Sequence, residues 1–451
     1  MTPPETQSPE DAPPPPPSPI GPDAPPALPD DAGNHPYALL HNRDFMLFLV
    51  GRFVAMVGQQ MFGMALGWEI YDRTGSAMAL GYVGLTQMIP MFLFTLPAGH
   101  IADNYSRKWI MVLTTGVTAA TVLGIAAVSL LQAPVAWIYL CLFVAGTART
   151  FMWAANAAFL PNLVDRKDFP RAVTWNTAVF QVSAIFGPTM AGGIIAWMAR
   201  AHFSSPAAIV YVISVITSLV FCVMVGMVRG KQIIAAKEPM TIQALLTGFK
   251  FVYDTKIVLG IITLDMFAVF LGGATTLLPI YAKDILFVGP TGLGLLRSAL
   301  PVGSLVCAVI MNHRPPLQKA GRALLWAVAA FGLATVAFGL STWFWLALAM
   351  LFACGAADTV SVIVRHTLVQ MLTPDDKRGR VSAVNNLFIG TSNELGGFES
   401  GTVAQIFGPM MGHTIVAGAV VSVVSGGIGT ILVVAAVALI WPQIRRYGKL
   451  A

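Results

Sequence analysis

Three observations predict an all-α integral membrane protein with twelve transmembrane helices in two pseudo-symmetric six-helix halves. The 451 residues are 56% hydrophobic and 11% charged, where a soluble chain carries about 25% charged residues. Apolar runs of about 20 residues, the length that spans a bilayer, recur along almost the whole chain beyond residue 40. The chain also matches itself at an offset of 209 residues. This composition excludes a water-soluble globule, and the short alternating strands of a membrane β-barrel do not occur in the sequence.

The first 36 residues hold 14 prolines, six acids and no lysine or arginine. They lack the apolar stretch and cleavage site of a signal peptide. Residues 1–40 are therefore read as a disordered, proline-rich cytoplasmic tail. Spans are predicted over 44–71, 77–100, 109–131, 134–159, 172–199, 206–228, 257–282, 290–312, 323–341, 343–371, 382–410 and 414–441. The first half covers 41–229, a cytoplasmic linker 230–256 and the second half 257–451. Within the linker, "MTIQALLTGFKFVYDTK" (240–256) has the pattern of a short amphipathic helix on the membrane surface. Cys141, Cys222, Cys307 and Cys354 lie in apolar segments without metal or disulfide spacing and read as small packing residues.

Basic residues set the orientation of a membrane protein. With both termini cytoplasmic, 20 Lys/Arg fall on that side and three, Arg73, Arg200 and Lys283, on the other. This bias explains most of the net charge of +6 without a nucleic-acid partner.

The self-match lays "FVAGTART" (143–150) on "FACGAADT" (352–359), with ten identities in fifty positions. Arg171 falls on Arg380, Asn176 on Asn385, Ser183 on Ser392, Gly187 on Gly396 and Gly192 on Gly401. The fourth and fifth spans thus recur as the tenth and eleventh. Glu394 and Glu399, within "SNELGGFESG" (392–401), replace Ile185 and Met190 of the first half. They are additions peculiar to the second half.

Charges inside a membrane are costly and usually functional. Those predicted inside spans are Arg52, Arg149, Asp265, Arg297, Asp358, Arg365, Glu394 and Glu399. The repeat sets Arg149 against Asp358 at equal depth, and the two are expected to flank a central cavity. Glu394 lies near the bilayer midplane. A carboxyl removed from water accepts a proton more readily, so Glu394 is expected to carry a proton. The competing reading is a permanent carboxylate held by Arg365, Asn393 or a backbone group. Arg52 and Arg297, nearer helix ends, are expected to snorkel to the surface. Gln59, Gln60, Gln87, Asn156 and Gln181 are candidates to line a substrate path, with Trp153 and Trp175 able to stack an aromatic group. Interhelical hydrogen bonding is the competing role for each. Asn176 and Asn385 read as gating or structural residues.

These residues resemble the major facilitator superfamily of secondary transporters, over roughly 41–447. "GHIADNYSRK" (99–108) resembles its signature loop, with Gly99, Asp103, Ser106, Arg107 and Lys108 in place. "FGPTMAGG" (186–193) resembles the glycine–proline motif of its exporters, through Gly187, Pro188, Gly192 and Gly193. Arg149 sits where many drug–proton antiporters of the superfamily have an intramembrane arginine. "GWEIYDRTGSAMALG" (67–81) and "RGRVSAVNNLFIGTSNELG" (378–396) are most similar to the branch containing bacterial enterobactin exporters. The second-half loop "NHRPPLQKAGR" (312–322) departs from the signature by lacking an acid.

The resemblance implies alternating access, efflux of a siderophore or drug-like molecule against protons, and a bacterial inner membrane. It implies a monomer needing no cofactor beyond the proton gradient. An uptake symporter or lysophospholipid flippase would share the fold, and a non-transporting membrane interaction protein is a third class. The loop implies a gate in which Asp103 and Arg107 latch onto the start of the eleventh span near Arg380. Enzyme signatures such as a P-loop, HExxH or GxSxG are absent from the sequence, and its histidines are scattered.

Overall fold

The computed structural model describes residues 38–165, 167–229, 242–315, 318–374, 377–410 and 414–448. The tail up to residue 37 and the linker over 230–241 lie outside the described residues. In hydrocarbon every backbone polar group must find an internal partner, and helices answer that demand along the chain. The first half contains α1 (Arg43–Thr74), α2 (Ala77–Asn104), α3 (Arg107–Leu130), α4 (Ala136–Phe159), α5 (Phe169–Arg200) and α6 (Pro206–Met227). The linker contributes α7 (Ile242–Asp254). The second half contains α8 (Lys256–Leu271), α9 (Leu278–Ile280), α10 (Gly289–Asn312), α11 (Ala320–Gly339), α12 (Phe344–Leu372), α13 (Arg378–Met410), α14 (Ile415–Ile440) and α15 (Pro442–Arg446).

Local chemistry sets several boundaries. Asn42 caps α1, its side chain accepting from the amides of Asp44 and Phe45. Gly75, at φ +58°, and Ser76 turn the chain into α2 in two residues, and Ser76 caps α2 by accepting from the Ala79 amide. Leu39, at the end of the predicted tail, is buried with Phe45 and Phe48. The linker helix α7 docks on the second half, with Phe249 5.6 Å from Phe388 between ring centroids.

Eleven helical segments among the described residues are long and apolar enough to cross a membrane. The twelfth, α13, has 33 residues but carries Arg378, Arg380, Asn385, Asn386, Asn393, Glu394 and Glu399, which lower its hydropathy. The seventh predicted span is not one continuous helix. It breaks after Leu271 into a 3-10 turn (Ala274–Leu277), the short α9 and a π turn (Tyr281–Ile285). The break falls at Gly272-Gly273 and is followed by Pro279, the helix-breaking residues.

The repeat is visible in packing. A Cβ on Gly187 would lie 3.0 Å from the Val57 carbonyl of α1, and one on its mate Gly396 would lie 2.7 Å from the Phe270 carbonyl of α8. Gly192 abuts the Pro290 carbonyl that leads α10, and its mate Gly401 abuts the Ala77 carbonyl that leads α2. Each glycine therefore meets the counterpart of its mate's partner in the other half. Small residues let membrane helices approach this closely.

The two halves meet along α5 with α10 and α2 with α13. One buried apolar cluster joins both halves around Leu66, Ile70, Leu80, Ile195, Leu293 and Ala404, far from the basic loops. Toward the basic loops it gives way to two clusters, one confined to each half. Three hydrogen bonds between the halves reinforce the joined face. Tyr71 donates to Asp284, Lys283 to Asp72 at 2.5 Å, and Ser76 to Gln405 at 3.0 Å, all at the face opposite the basic loops. The halves are thus joined on the non-basic face and part toward the basic one.

Candidate functional site

Between the halves lies a cavity of about 380 Å³. From the first half its wall includes Arg52, Gln59, Gln60 and Phe62 of α1, Gly84 and Gln87 of α2, and Arg149, Trp153 and Asn156 of α4. The second half adds Thr276 and Pro279 from the broken span, Arg297 of α10, and Asn393, Glu394 and Gly397 of α13. Broken spans line cavities in transporters because their loosened backbone is tolerated only there.

Arg149 Nη2 donates to Glu394 Oε1 at 2.8 Å, and the two side chains are 26% and 21% exposed. The pair therefore bridges the halves inside the cavity. The Arg149 guanidinium also lies 5.0 Å from the centroid of Trp153, a cation–π distance. Gly84 makes the bridge possible, because a Cβ there would lie 2.7 Å from the Glu394 carbonyl oxygen.

Arg52 reaches the cavity and donates to Asn156 Oδ1, while its Nε is buried without a partner among the described residues. Arg297 faces the cavity beside Gly63, and no hydrogen bond, ion pair or ring contact engages it among the described residues. Both depart from the expectation of snorkelling. Their stems enter far enough along α1 and α10 that the guanidinium reaches the cavity instead of the membrane surface. The charged wall is Arg52, Arg149, Arg297 and Glu394, two positive charges in excess with all four ionised.

The structure separates other residues that the sequence grouped. Asp358 does not line the cavity, so it does not face Arg149 across it. Glu394 is paired with Arg149 rather than with Arg365, Asn393 or backbone. Arg365 instead pairs with Asp265 inside the second half, their side chains 5% and 9% exposed. Glu399 accepts from Ser400 at 3.3 Å and is not part of the cavity wall. Gln59, Gln60, Gln87, Trp153 and Asn156 line the cavity, and Gln181 and Trp175 do not. Asn176 and Asn385 each bury an Oδ1 with no partner among the described residues.

At the signature loop, Asp103 sits in the last turn of α2, and Arg107 Nε donates to the Ala102 carbonyl at 3.3 Å. Lys108 donates at 2.7 Å to the Gly226 and Val228 carbonyls that end α6. No ion pair joins Asp103 to Arg380 among the described residues. In the fifth-span motif, the Pro188 carbonyl meets Gly294 of α10, while Gly193 has open space around it.

A charged network at the non-basic face was missed. Glu69, 6% exposed, accepts from Arg73 at 3.2 Å and from the Tyr211 hydroxyl at 2.7 Å. It adjoins the Tyr71–Asp284 and Asp72–Lys283 contacts between halves. The signal in the sequence is "EIYDR" (69–73), a charged run at the very end of an apolar segment.

Comparison with known proteins places this fold in a family. The sequence profile of the Major Facilitator Superfamily matches residues 48–397. The chain belongs to the major facilitator superfamily. Within the superfamily it is 23% identical over 411 residues to enterobactin exporter EntS of Shigella boydii serotype 18, covering 90% of this chain and 93% of that protein. EntS of Escherichia coli O157:H7 is 23% identical over the same length and coverage. The structure of the nucleoside transporter NupG superposes with a TM-score of 0.70 at 14% identity, covering 90% of this chain and 99% of NupG. A bacterial homologue of the lysosomal transporter Spinster, in an inward-facing and unoccupied conformation, gives 0.69 at 12% identity, covering 89% and 97%. These structures share the fold of this major facilitator protein.

Proposed function

We propose that this transporter exports a small amphipathic molecule, a siderophore or drug-like compound, from the cytoplasm of a bacterium by alternating access. The proton motive force supplies the energy. The observation that carries the reading is the Arg149–Glu394 pair, which spans the two halves inside a cavity closed at one face and parted at the other. A ligand entering from the basic face meets this pair at mid-depth, where transporter sites lie. Closing the basic face and parting the other exposes the same pair to the opposite side. The latch at Asp103 belongs to the closed-basic state and is unmade where that face is parted. The outward direction is supported by similarity to the EntS exporters along most of the chain.

The same pair favours a second reading, proton-coupled uptake. A proton on Glu394 frees Arg149, so a proton and an anion can occupy the cavity together.

The test uses bacteria lacking their own exporters and a panel of dyes, antibiotics and siderophores. Export lowers accumulation of at least one compound. Uptake raises it. No change across the panel would contradict transport of these classes.

A further inference from the structure

The cavity holds a cation that its own walls leave unanswered. Arg297 sits on α10, about 12 Å along the axis from the helix start at the closed face. It therefore lies toward the blind end of the cavity. Arg52, only nine residues into α1 from the basic face, stands toward the mouth. Arg149 lies between them in depth. Of these three guanidinium groups, only Arg149 has a carboxylate. Arg52 has a neutral amide oxygen, and Arg297 has no partner among the described residues.

A lone charge withdrawn from bulk water is costly unless something pairs with it. The rest of the wall is largely apolar, with Met56, Phe62, Leu66, Leu80 and Val83 among its residues. Such a wall suits the hydrophobic body of an amphipathic ligand and offers no counter-ion to Arg297. The guanidinium fork matches a planar oxyanion better than any other partner.

We infer that the transported molecule carries an anionic oxygen group, a carboxylate, phenolate, sulfonate or phosphate, which seats on Arg297 at the closed end of the cavity. Arg52 attracts it at the mouth, and the apolar wall holds its body. The inference rests on the transport reading but does not depend on direction. It also bears on the driving force. A cell interior that is negative pushes an anion outward. Export of such a ligand draws on the potential component of the proton motive force, and no proton has to enter in exchange.

The test is equilibrium binding to the full chain in lipid nanodiscs at pH 7, kept separate from flux. Four probes share one apolar body: 2-naphthoate, 2-naphthalenesulfonate, 2-naphthamide and 2-naphthylmethylammonium. The anions are expected to bind at least tenfold more tightly than the amide, and the ammonium most weakly. Arg297→Gln should remove most of that tenfold preference, and Arg297→Lys should keep part of it. A second measurement reads cavity charge in the event that Arg297→Gln does not fold. Gln59→Cys, in the wall, is modified with anionic sulfonatoethyl and cationic trimethylammonium-ethyl methanethiosulfonates. The protein with only its native cysteines serves as blank, and the rate ratio is normalised to a free thiol. The anionic reagent should be relatively favoured. Equal or tighter binding of the amide or ammonium, absence of anion binding, an unchanged preference in Arg297→Gln, or a cation-favouring ratio would each overturn the inference. Anion binding without flux of any compound would count against the transport reading alone.

Discussion

Arg149 of α4 and Glu394 of α13 close a 2.8 Å ion pair between the two halves of the protein, inside the cavity. Each side chain is the other's charged partner there, so removing either leaves an uncompensated charge in the cavity. We predict that Arg149→Gln and Glu394→Gln each lower transport at least tenfold, about 1.4 kcal/mol in free energy. The exchanged pair Arg149→Glu with Glu394→Arg should recover more activity than either single charge reversal. A double-mutant cycle on transport rate reads the coupling directly, and additive effects would show that the pair does not act as a unit.

The charge of the ligand fixes the sign of its linkage to Glu394. Neutralising Glu394 frees Arg149 and leaves Arg52, Arg149 and Arg297 without a wall carboxylate. An anion should therefore bind more tightly to Glu394→Gln than to wild type. A cation should show the reverse. Equilibrium binding of an anionic and a cationic probe of the same apolar body to wild type and to Glu394→Gln checks both signs.

Close helix contacts predict a contrast between two glycines. Gly84→Ala places a Cβ 2.7 Å from the Glu394 carbonyl oxygen, whereas Gly193→Ala meets nothing within 4 Å. Gly84→Ala should lower stability by about 1–3 kcal/mol through overpacking and reduce transport by moving α2 away from α13. Gly193→Ala should be near neutral on both. Thermal unfolding in detergent with parallel transport assays separates them.

Much of this arrangement was legible in the sequence, and particular residues show where legibility stopped. Hydropathy and the 209-residue repeat located the spans, because burial in lipid demands long apolar helices and a duplicated half keeps its glycines. Glu394 and Arg149 stood out singly, since a charge in an apolar run is visible without a structure. Their pairing was hidden. The repeat set Arg149 against Asp358, its symmetry mate, but the partner comes from a residue that breaks the symmetry. Asp265 and Arg365 are 100 positions apart on α8 and α12, and nothing in spacing joins them. The break at Gly272-Gly273 was readable from composition yet masked by the apolar residues on either side. Arg297 looked like a helix-end residue because distance along the chain says nothing about which way a side chain points.

The Asp265–Arg365 pair makes a separable prediction. Both side chains are buried, and breaking a buried pair by removing one partner costs about 3–5 kcal/mol. Asp265→Ala and Arg365→Met should each lower the yield of folded protein. The double variant Asp265→Leu with Arg365→Met should regain stability, because neither charge is then stranded. Transport recovered with stability would assign the pair to structure. Transport still lost would give it a part in the cycle.

At the basic face, Asp103→Asn should lower transport while leaving expression intact, because a latch on the start of α13 forms only when that face closes. Wild-type transport in this variant would remove the latch from the account.

The most direct measurement is accumulation of the compound panel in exporter-deficient bacteria expressing wild type or Glu394→Gln, with and without a protonophore. The account predicts that wild type lowers accumulation of at least one anionic amphipathic compound, and that both the substitution and the protonophore abolish the effect. Lowered accumulation that survives Glu394→Gln, or raised accumulation in wild-type cells, would contradict it.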